Sequence, residues 1–370
     1  MRVLHLVGAA EDNGGILSVI RNLDQATRPL GWDHTTWVRE DYVEVRHPQL
    51  HYARTRHLWS EHPSHARLVL SGIRAYWELR KLLRLACFDV VHAHSRGGFV
   101  VALCFAILSR KPVVFTNHAY ARRTGLYRAA SRLRHFHTTV LTPNMALHYG
   151  LDVDFPRVKV VSECCSDTWF QRSLVDRGNR CGDLRSIRLV GLGNLLAWKK
   201  WDLIVEALAR LPLSQRQRLE ICIWGPTPDL EEARVFEAML RDRTAFLGLE
   251  GCFKLMGPTN EVELVLRSSD WFILPSTNEP CSVALIEAMA LGLPALVSRS
   301  GGNVDIVREG VNGVMFTPDD PLDLARKLTG ILDSAAWVAD TAQIRESVRH
   351  RSGTEVARQF ASVYRAVCLG

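Results

Sequence analysis

"DWFILPSTNEPCSVALIEAMALGLP", residues 270–294, runs from a short apolar segment through a polar loop broken by proline into a helical pattern. Pro280 stands just ahead of a helix that the pattern starts near Ser282, and Gly292 and Pro294 close that helix. A strand handed to a helix across a short loop is the repeating unit of an open parallel sheet. In such sheets ligands sit beyond the carboxyl ends of the strands. The first N–H groups of the helix, around Val283 to Leu285, lack helical partners and form a seat for an anion such as a diphosphate. Glu279 in the loop and Glu287, just over one turn into the helix, would repel that anion. They read better as acceptors for vicinal hydroxyls, since side chains on a helix lean toward its N-terminus. A diphosphate flanked by two polyols, a nucleotide-sugar, meets all three features. Two solvated surface carboxylates are the competing reading.

The same strand–loop–helix pattern extends in both directions. "SIRLVGLG", "LEICIWG", "CFKLMG" and "PALVS" are strands in the second half, each followed by a helical stretch such as "WDLIVEALARLP" or "LEEARVFEAMLRDR". In the first half "RVLHLVG", "FDVVHAHS", "KPVVFTNHA", "TTVLTPN" and "PRVKVVSE" are strands, and "GGILSVIRNLDQATRPLG" is an amphipathic helix. Hydrophobic periodicity is lost at 173–186, which reads as a linker. The expected fold class is therefore α/β: two Rossmann-like doubly wound domains, at 1–175 and 186–350. A last helix at 353–370 is expected to cross back to the first domain. Segment 40–66, with five histidines interrupted by Pro48 and Pro63, reads as a surface loop.

Charge and cysteines narrow the function classes. Residues 1–185 carry 26 Lys and Arg against 16 Asp and Glu, whereas the remainder carries 20 against 23. This excess suits an acidic partner, whether an anionic membrane face, a phosphorylated acceptor or nucleic acid, and a solvated Arg-rich face is the plain alternative. "YARRTGLYRAASRLRHFH" (120–137) holds the densest cationic run, with Arg122, Arg123, Arg128, Arg132 and Arg134. Nine cysteines without C-x-x-C spacing suggest neither a disulfide framework nor a zinc site. Adjacent Cys164 and Cys165 fit reduced thiols in a cytosolic protein, peripheral at most to the inner membrane face. The apolar run "FVVALCFAIL" (99–108) is too short to span a bilayer, and "MRVLHLVG" reads as a first strand rather than a leader.

With these residues in place, the chain resembles the retaining glycosyltransferases of family four, whose fold is GT-B, two such domains facing across a cleft. The likeness is carried by the E-x7-E of "EPCSVALIE", by "AMALGLP" and "SGGNVDIVREGVNGVMF", by "LVGLGNLLAWKKWDLIVEALARL", and by "NGGILSVIRNL", "FDVVHAHS" and "VVFTNHA". The resemblance implies that Glu279 contacts donor-sugar hydroxyls and Glu287 the ribose. Main-chain N–H groups beyond Pro280, on Cys281, Ser282 and Val283, would face sugar and phosphates. Lys199 would neutralise the diphosphate, His118 would lie near the reaction centre, and Gly14 and Gly15 would face the diphosphate from the first domain. It also implies a nucleoside diphosphate sugar as donor substrate, no cofactor, no metal and no nucleic-acid partner. Two departures touch the phosphate seat: Asn194 replaces the usual arginine, and Lys200 the glycine after the lysine, exchanging a rigid guanidinium for a mobile ammonium. Ser282 stands where glycine is common, which costs some room and offers either a hydroxyl donor or an N-cap.

Other motifs compete. "GLGNLL" (191–196) lacks the third glycine of a dinucleotide fingerprint. Asp152 and Asp154 lie in a loop away from the donor site. His92 and His94 share a strand face without an evident third ligand, so a buried pair or a wall of the site is expected rather than zinc. The reading is a metal-independent retaining glycosyltransferase moving a sugar to an acceptor hydroxyl. A nucleotide-sugar epimerase or a non-catalytic partner subunit of the same fold are the alternatives.

Overall fold

The computed structural model describes residues 1–11, 15–44, 50–85, 87–174, 186–333 and 340–369. Two compact units divide the chain: Met1–Asp167 with Arg351–Gly370, and Thr168–His350. The expected linker falls almost wholly on 175–185, outside the described residues, as does Gly14.

The first unit is built on seven parallel strands: β1 (Arg2–Leu6), β2 (Asp33–Arg39), β3 (His51–Thr55), β4 (Val90–Ala93), β5 (Val113–Asn117), β6 (Phe136–Val140) and β7 (Val158–Val160). Their spatial order is β3-β2-β1-β4-β5-β6-β7, so chain direction across the sheet reverses between β1 and β4. Register decides what each face carries, because side chains alternate along a strand. His5 pairs with Thr36 and with His92, Val3 with His34, and Thr116 with Thr139. One face therefore gathers His5, His34, His92, Thr116 and Thr139. The other gathers Leu4, Leu6, Trp37, Val91, Phe115 and Phe136, which join Tyr76, Leu79, Phe99 and Phe105 from the helices His65–Leu85 and Arg96–Cys104 in an apolar core. Each such side chain contributes roughly 1.5–3 kcal/mol when fully buried. The imidazole face is no less buried. Helix Gly353–Leu369 packs on β4 and β5 there and against helix Gly15–Thr27, which touches β2.

The second unit carries six parallel strands: β8 (Ile187–Leu192), β9 (Leu219–Trp224), β10 (Phe253–Gly257), β11 (Trp271–Leu274), β12 (Ala295–Ser298) and β13 (Gly313–Phe316). The order β10-β9-β8-β11-β12-β13 reverses between β8 and β11. Strands β8, β11 and β12 are almost wholly apolar and β11 and β12 fully buried, as expected for the middle of a parallel sheet.

Segment 40–66 corrects the surface-loop expectation. His51–Thr55 is the edge strand β3, hydrogen-bonded to β2, while 45–49 lie outside the described residues. As an edge strand it is half exposed, so its apolar signal is weak. No helix among the described residues is long and apolar enough to cross a membrane.

Candidate active site

Beyond β8 and β11, where strand order reverses, the second unit brings its two key loops together. Lys199, in a short turn after β8, places Nζ 2.7 Å from Glu279 Oε2 in the loop after β11. Both residues are buried, at 9% and 6% exposure. A buried ion pair of this kind is worth little net, but removing one partner strands the other charge, at a cost of about 3–5 kcal/mol. Lys199 Nζ also lies 4.3 Å over the ring of Trp198, which is itself 43% exposed. The glycines of "GLGNLL" have a packing role: a side chain on Gly191 would strike the Trp201 ring at 2.7 Å, and one on Gly193 would press on Lys199 Cε at 3.3 Å.

The Glu279 loop is held from several sides. Asn278 adopts a left-handed conformation (φ 57°) to turn the chain into Glu279. Gly302 N–H donates to Glu279 O at 2.7 Å, Ser300 Oγ accepts from Asn278 N–H at 3.0 Å, and Thr277 N–H donates to Trp198 O at 3.2 Å. Gly301 sits so close that a Cβ would lie 2.5 Å from Glu279 O. The "SGGN" turn thus clamps the backbone that aims the carboxylate.

The helix that follows spans Val283–Ala290, with Ser282 as its N-cap accepting from Leu285 N–H at 3.2 Å. This narrows the expected anion seat. The Leu285 N–H is taken by the cap, leaving those of Val283 and Ala284 at the helix start. Cys281 is buried, Pro280 half-buried, and Glu287 half-buried one turn into the helix.

The expectation of a mobile Lys200 ammonium is corrected. It pairs with Asp319 at 2.7 Å, and that hydrogen bond raises its pKa from the ordinary value. Lys200 itself is left-handed (φ 58°) where the chain enters helix Trp201–Ala209. Asn194 acts through its backbone, its carbonyl accepting from Trp201 Nε1 at 3.1 Å.

In the first unit Gly15 opens helix Gly15–Thr27 beyond β1. His118 follows β5, with Nδ1 2.7 Å from Glu163 Oε1 and Nε2 3.0 Å from His94 Nδ1. It lines a cavity of ≈ 90 Å³ with His94, Ser95, Arg96 and Asn117, at the carboxyl ends of β4 and β5. Sequence reasoning missed Glu163; no motif marks it, because its partner lies 45 residues away. His5, His92 and His94 are the one group of three among the described residues with ligand atoms close enough for a metal. Yet all six of their ring nitrogens already have partners: His92, for example, meets Tyr364 Oη at 2.7 Å and Thr116 Oγ1 at 2.6 Å. His5 and His94 are bonded to each other, while His92 bonds Tyr364 and Thr116 instead; His92 and His94 are both buried, in line with the buried-pair reading. Burial, with neighbouring imidazoles adding to it, holds the pKa of each of the three well below the usual histidine range, and burial lowers His34 to about 4. Asp152 and Asp154 are exposed, and Asp152 Oδ1 accepts from Asp154 N–H at 3.0 Å in a local turn.

Comparison with known proteins defines the class first. Solved structures sharing this fold over 99% of the chain include HepE from Anabaena in complex with UDP (TM-score 0.76, 17% identity, all of that chain covered). Sucrose-phosphate synthase from Thermosynechococcus elongatus is also similar (TM-score 0.79, 17% identity, 98% of that chain covered). The fold is GT-B. Two family models match, "Glycosyl transferases group 1" over residues 184–351 and "Glycosyl transferase 4-like domain" over 14–149. A D-inositol 3-phosphate glycosyltransferase of Corynebacterium efficiens is 27% identical over 319 residues, covering 75% of this chain and 71% of that protein. Its counterpart from Streptosporangium roseum is 30% identical over 155 residues, so the chain spans only 35% of that relative's length. The chain belongs to the family-four glycosyltransferases. That membership does not favour an epimerase or a non-catalytic subunit.

Proposed function

We propose that this glycosyltransferase transfers a sugar, with retention and without a metal, from a nucleoside diphosphate sugar to an acceptor hydroxyl. The observation that carries the reading is the Lys199–Glu279 pair at the reversal of strand order, beside the start of helix Val283–Ala290. Lys199 and the N–H groups of Val283 and Ala284 stabilise the departing diphosphate. Charge develops there as the anomeric C–O bond breaks, and preorganised donors act most strongly at such a point. Glu279 orients Lys199 and takes donor-sugar hydroxyls, while Glu287 takes the ribose. The acceptor oxygen bonds to the anomeric carbon on the face the phosphate leaves, and the departing phosphate oxygen takes the acceptor proton. A thermal-shift panel of uridine, guanosine and adenosine diphosphate sugars tests donor binding. A ligand at 100 times its dissociation constant adds about 2.7 kcal/mol. Turnover that survives exhaustive chelation supports metal independence, and loss restored by magnesium or manganese contradicts it.

We propose an acceptor at an anionic membrane surface. Helix His65–Leu85 turns Val69, Ile73 and Trp77, four residues apart, toward solvent, opposite its core-facing Leu68, Ala75 and Leu79. Exposed Arg67, Arg74, Arg80, Lys81 and Arg84 flank that stripe. Arg122, Arg123, Arg132 and Arg134 are also exposed and supply further charge. Sedimentation with anionic vesicles is expected at low salt, weakened by high salt and by Trp77→Glu. Equal recovery on neutral vesicles would leave only a solvated basic face.

A further inference from the structure

The buried face of the first unit holds a continuous hydrogen-bonded chain. Thr27 Oγ1 stands 2.8 Å from His34 Nε2, His34 Nδ1 2.8 Å from His5 Nε2, and His5 Nδ1 2.8 Å from His94 Nε2. His94 Nδ1 meets His118 Nε2 at 3.0 Å, and His118 Nδ1 meets Glu163 Oε1 at 2.7 Å. One end has a defined polarity: Thr27 Oγ1 donates its only hydrogen to Leu23 O at 2.7 Å. His34 must therefore donate to that hydroxyl. A neutral imidazole has one N–H and one lone pair, so each ring passes the same polarity on. His34, His5, His94 and His118 all carry hydrogen on Nε2. His118 then turns the lone pair of Nδ1 toward a carboxyl oxygen at hydrogen-bond distance, an arrangement that needs one further proton between the two atoms.

A separate observation agrees. Glu163 is buried, and its Oε2 has no hydrogen-bond partner among the described residues, which disfavours a fully ionised carboxylate. We infer that Glu163 is a positioning residue for His118: the pair holds one proton between Nδ1 and Oε1, while the imidazole chain holds the ring from its other side. Burial opposes charge on His94, His5 and His34, so the proton stays at the outer end of the chain. Glu163 is not among the cavity-lining residues and acts through His118, which is. When an anionic oxygen, such as a phosphate oxygen, enters that cavity, the proton moves from Glu163 to Nδ1. The O–H bond breaks, the N–H bond forms, and the wall becomes cationic without exchange with solvent. A neutral ligand leaves the proton shared. The other groups facing the pair are His92 from β4, His94 just after it, and Arg351, which donates to Ser162 beside Glu163. Across the cavity lie Arg96, Glu61, Tyr127 and Tyr149. The ligand's identity rests on the proposed function, but the proton count does not.

Nitrogen-15 NMR of the full chain with labelled histidine reads this directly. The wild type is expected to show Nε2–H forms for His34, His5 and His94, and His118 with hydrogen on Nε2 plus a low-field proton at Nδ1. In Glu163→Gln the side-chain amide donates to the bare Nδ1, so that proton disappears and His118 becomes a neutral Nε2–H ring. Inorganic phosphate should shift the wild-type His118 signals toward imidazolium and leave those of the variant unmoved. Thr27→Val, four imidazoles away, releases the anchored end. His118 is then expected to switch to the Nδ1–H form, and Thr27→Ser to restore the original pattern. Nδ1–H forms along the wild-type chain, or an unchanged spectrum in Glu163→Gln, would overturn the inference. If the variant fails to fold, the wild-type pattern alone decides. In turnover, Glu163→Gln should lower kcat more than it raises KM. Correct tautomers in a wild type that transfers no sugar would instead count against the proposed function.

Discussion

The two units share an open parallel sheet whose strand order reverses near the middle, yet they fill that place with opposite chemistry. The second unit puts a permanent ion pair there, Lys199 on Glu279, braced by the turn through Gly301 and Gly302. The first unit puts imidazoles there, linked to one another and ending at Glu163. Thirteen of the fourteen histidines lie in the first unit's 1–167, and His350 alone lies in the second. The second unit's pair joins an ammonium to a carboxylate, whereas the imidazole is the side chain whose ordinary pKa lies between pH 5 and 8, which burial in the first unit moves downward. The contrast suggests a division of work: one unit grips an anion with standing charges, and the other adjusts a proton to what arrives.

Lys199→Ala should break the second half of this contrast most severely. Removing the cation strands buried Glu279, and the unit should lose about 3–5 kcal/mol in urea unfolding. At a temperature where the variant is folded, turnover should fall on the order of a hundredfold or more. Lys200→Ala is the internal control. Its pair with Asp319 is partly exposed, so the stability loss should stay within about 1 kcal/mol. A Lys200 variant with the larger turnover defect would move the diphosphate seat onto Lys200.

Acid should separate the units next. Folded His34 stays neutral down to about pH 4, while the unfolded ring binds its proton near 6.5. Stability from this group is therefore complete above 6.5 and lost as pH falls from there toward 4, a change of about 3 kcal/mol. His5, His92 and His94, lowered further, extend the loss to more acidic pH. Amide hydrogen exchange at pH 7 and pH 5 should show the first unit opening while β8, β11 and β12 keep their protection. Equal loss in both units would contradict the contrast.

The same contrast explains what sequence could reveal. Strands β8, β11 and β12 announce themselves because both faces are apolar, and Pro280, Ser282 and Gly292 punctuate the helix between β11 and β12. The GT-B fold, the family and the glycosyltransferase class followed from such motifs. Strand β2 carries no clean apolar alternation, because "DHTTWVR" turns His34 and Thr36 into the buried polar face. Strand β3 lies at the sheet edge and is half exposed. Glu163 and the imidazole chain were illegible for another reason: their links join residues 24 to 89 positions apart, set by sheet register rather than local spacing. The Lys199–Glu279 contact spans 80 residues and is equally invisible to local spacing, although each residue sits in a recognisable motif of its own.

The central claim is that Glu279 and Glu287 divide the donor between them, and calorimetry of Glu279→Ala and Glu287→Ala tests it with two ligands, a bare nucleoside diphosphate and the complete nucleotide-sugar. A hydrogen bond to a carboxylate is worth about 1.5–3 kcal/mol, so each affected affinity should fall more than about tenfold. Glu287→Ala should weaken both ligands alike, because both carry the ribose. Glu279→Ala should penalise the complete donor and leave the bare diphosphate nearly intact, with Lys199 then free to meet the phosphates. Equal losses on the bare diphosphate, or no loss in either folded variant, would contradict the account.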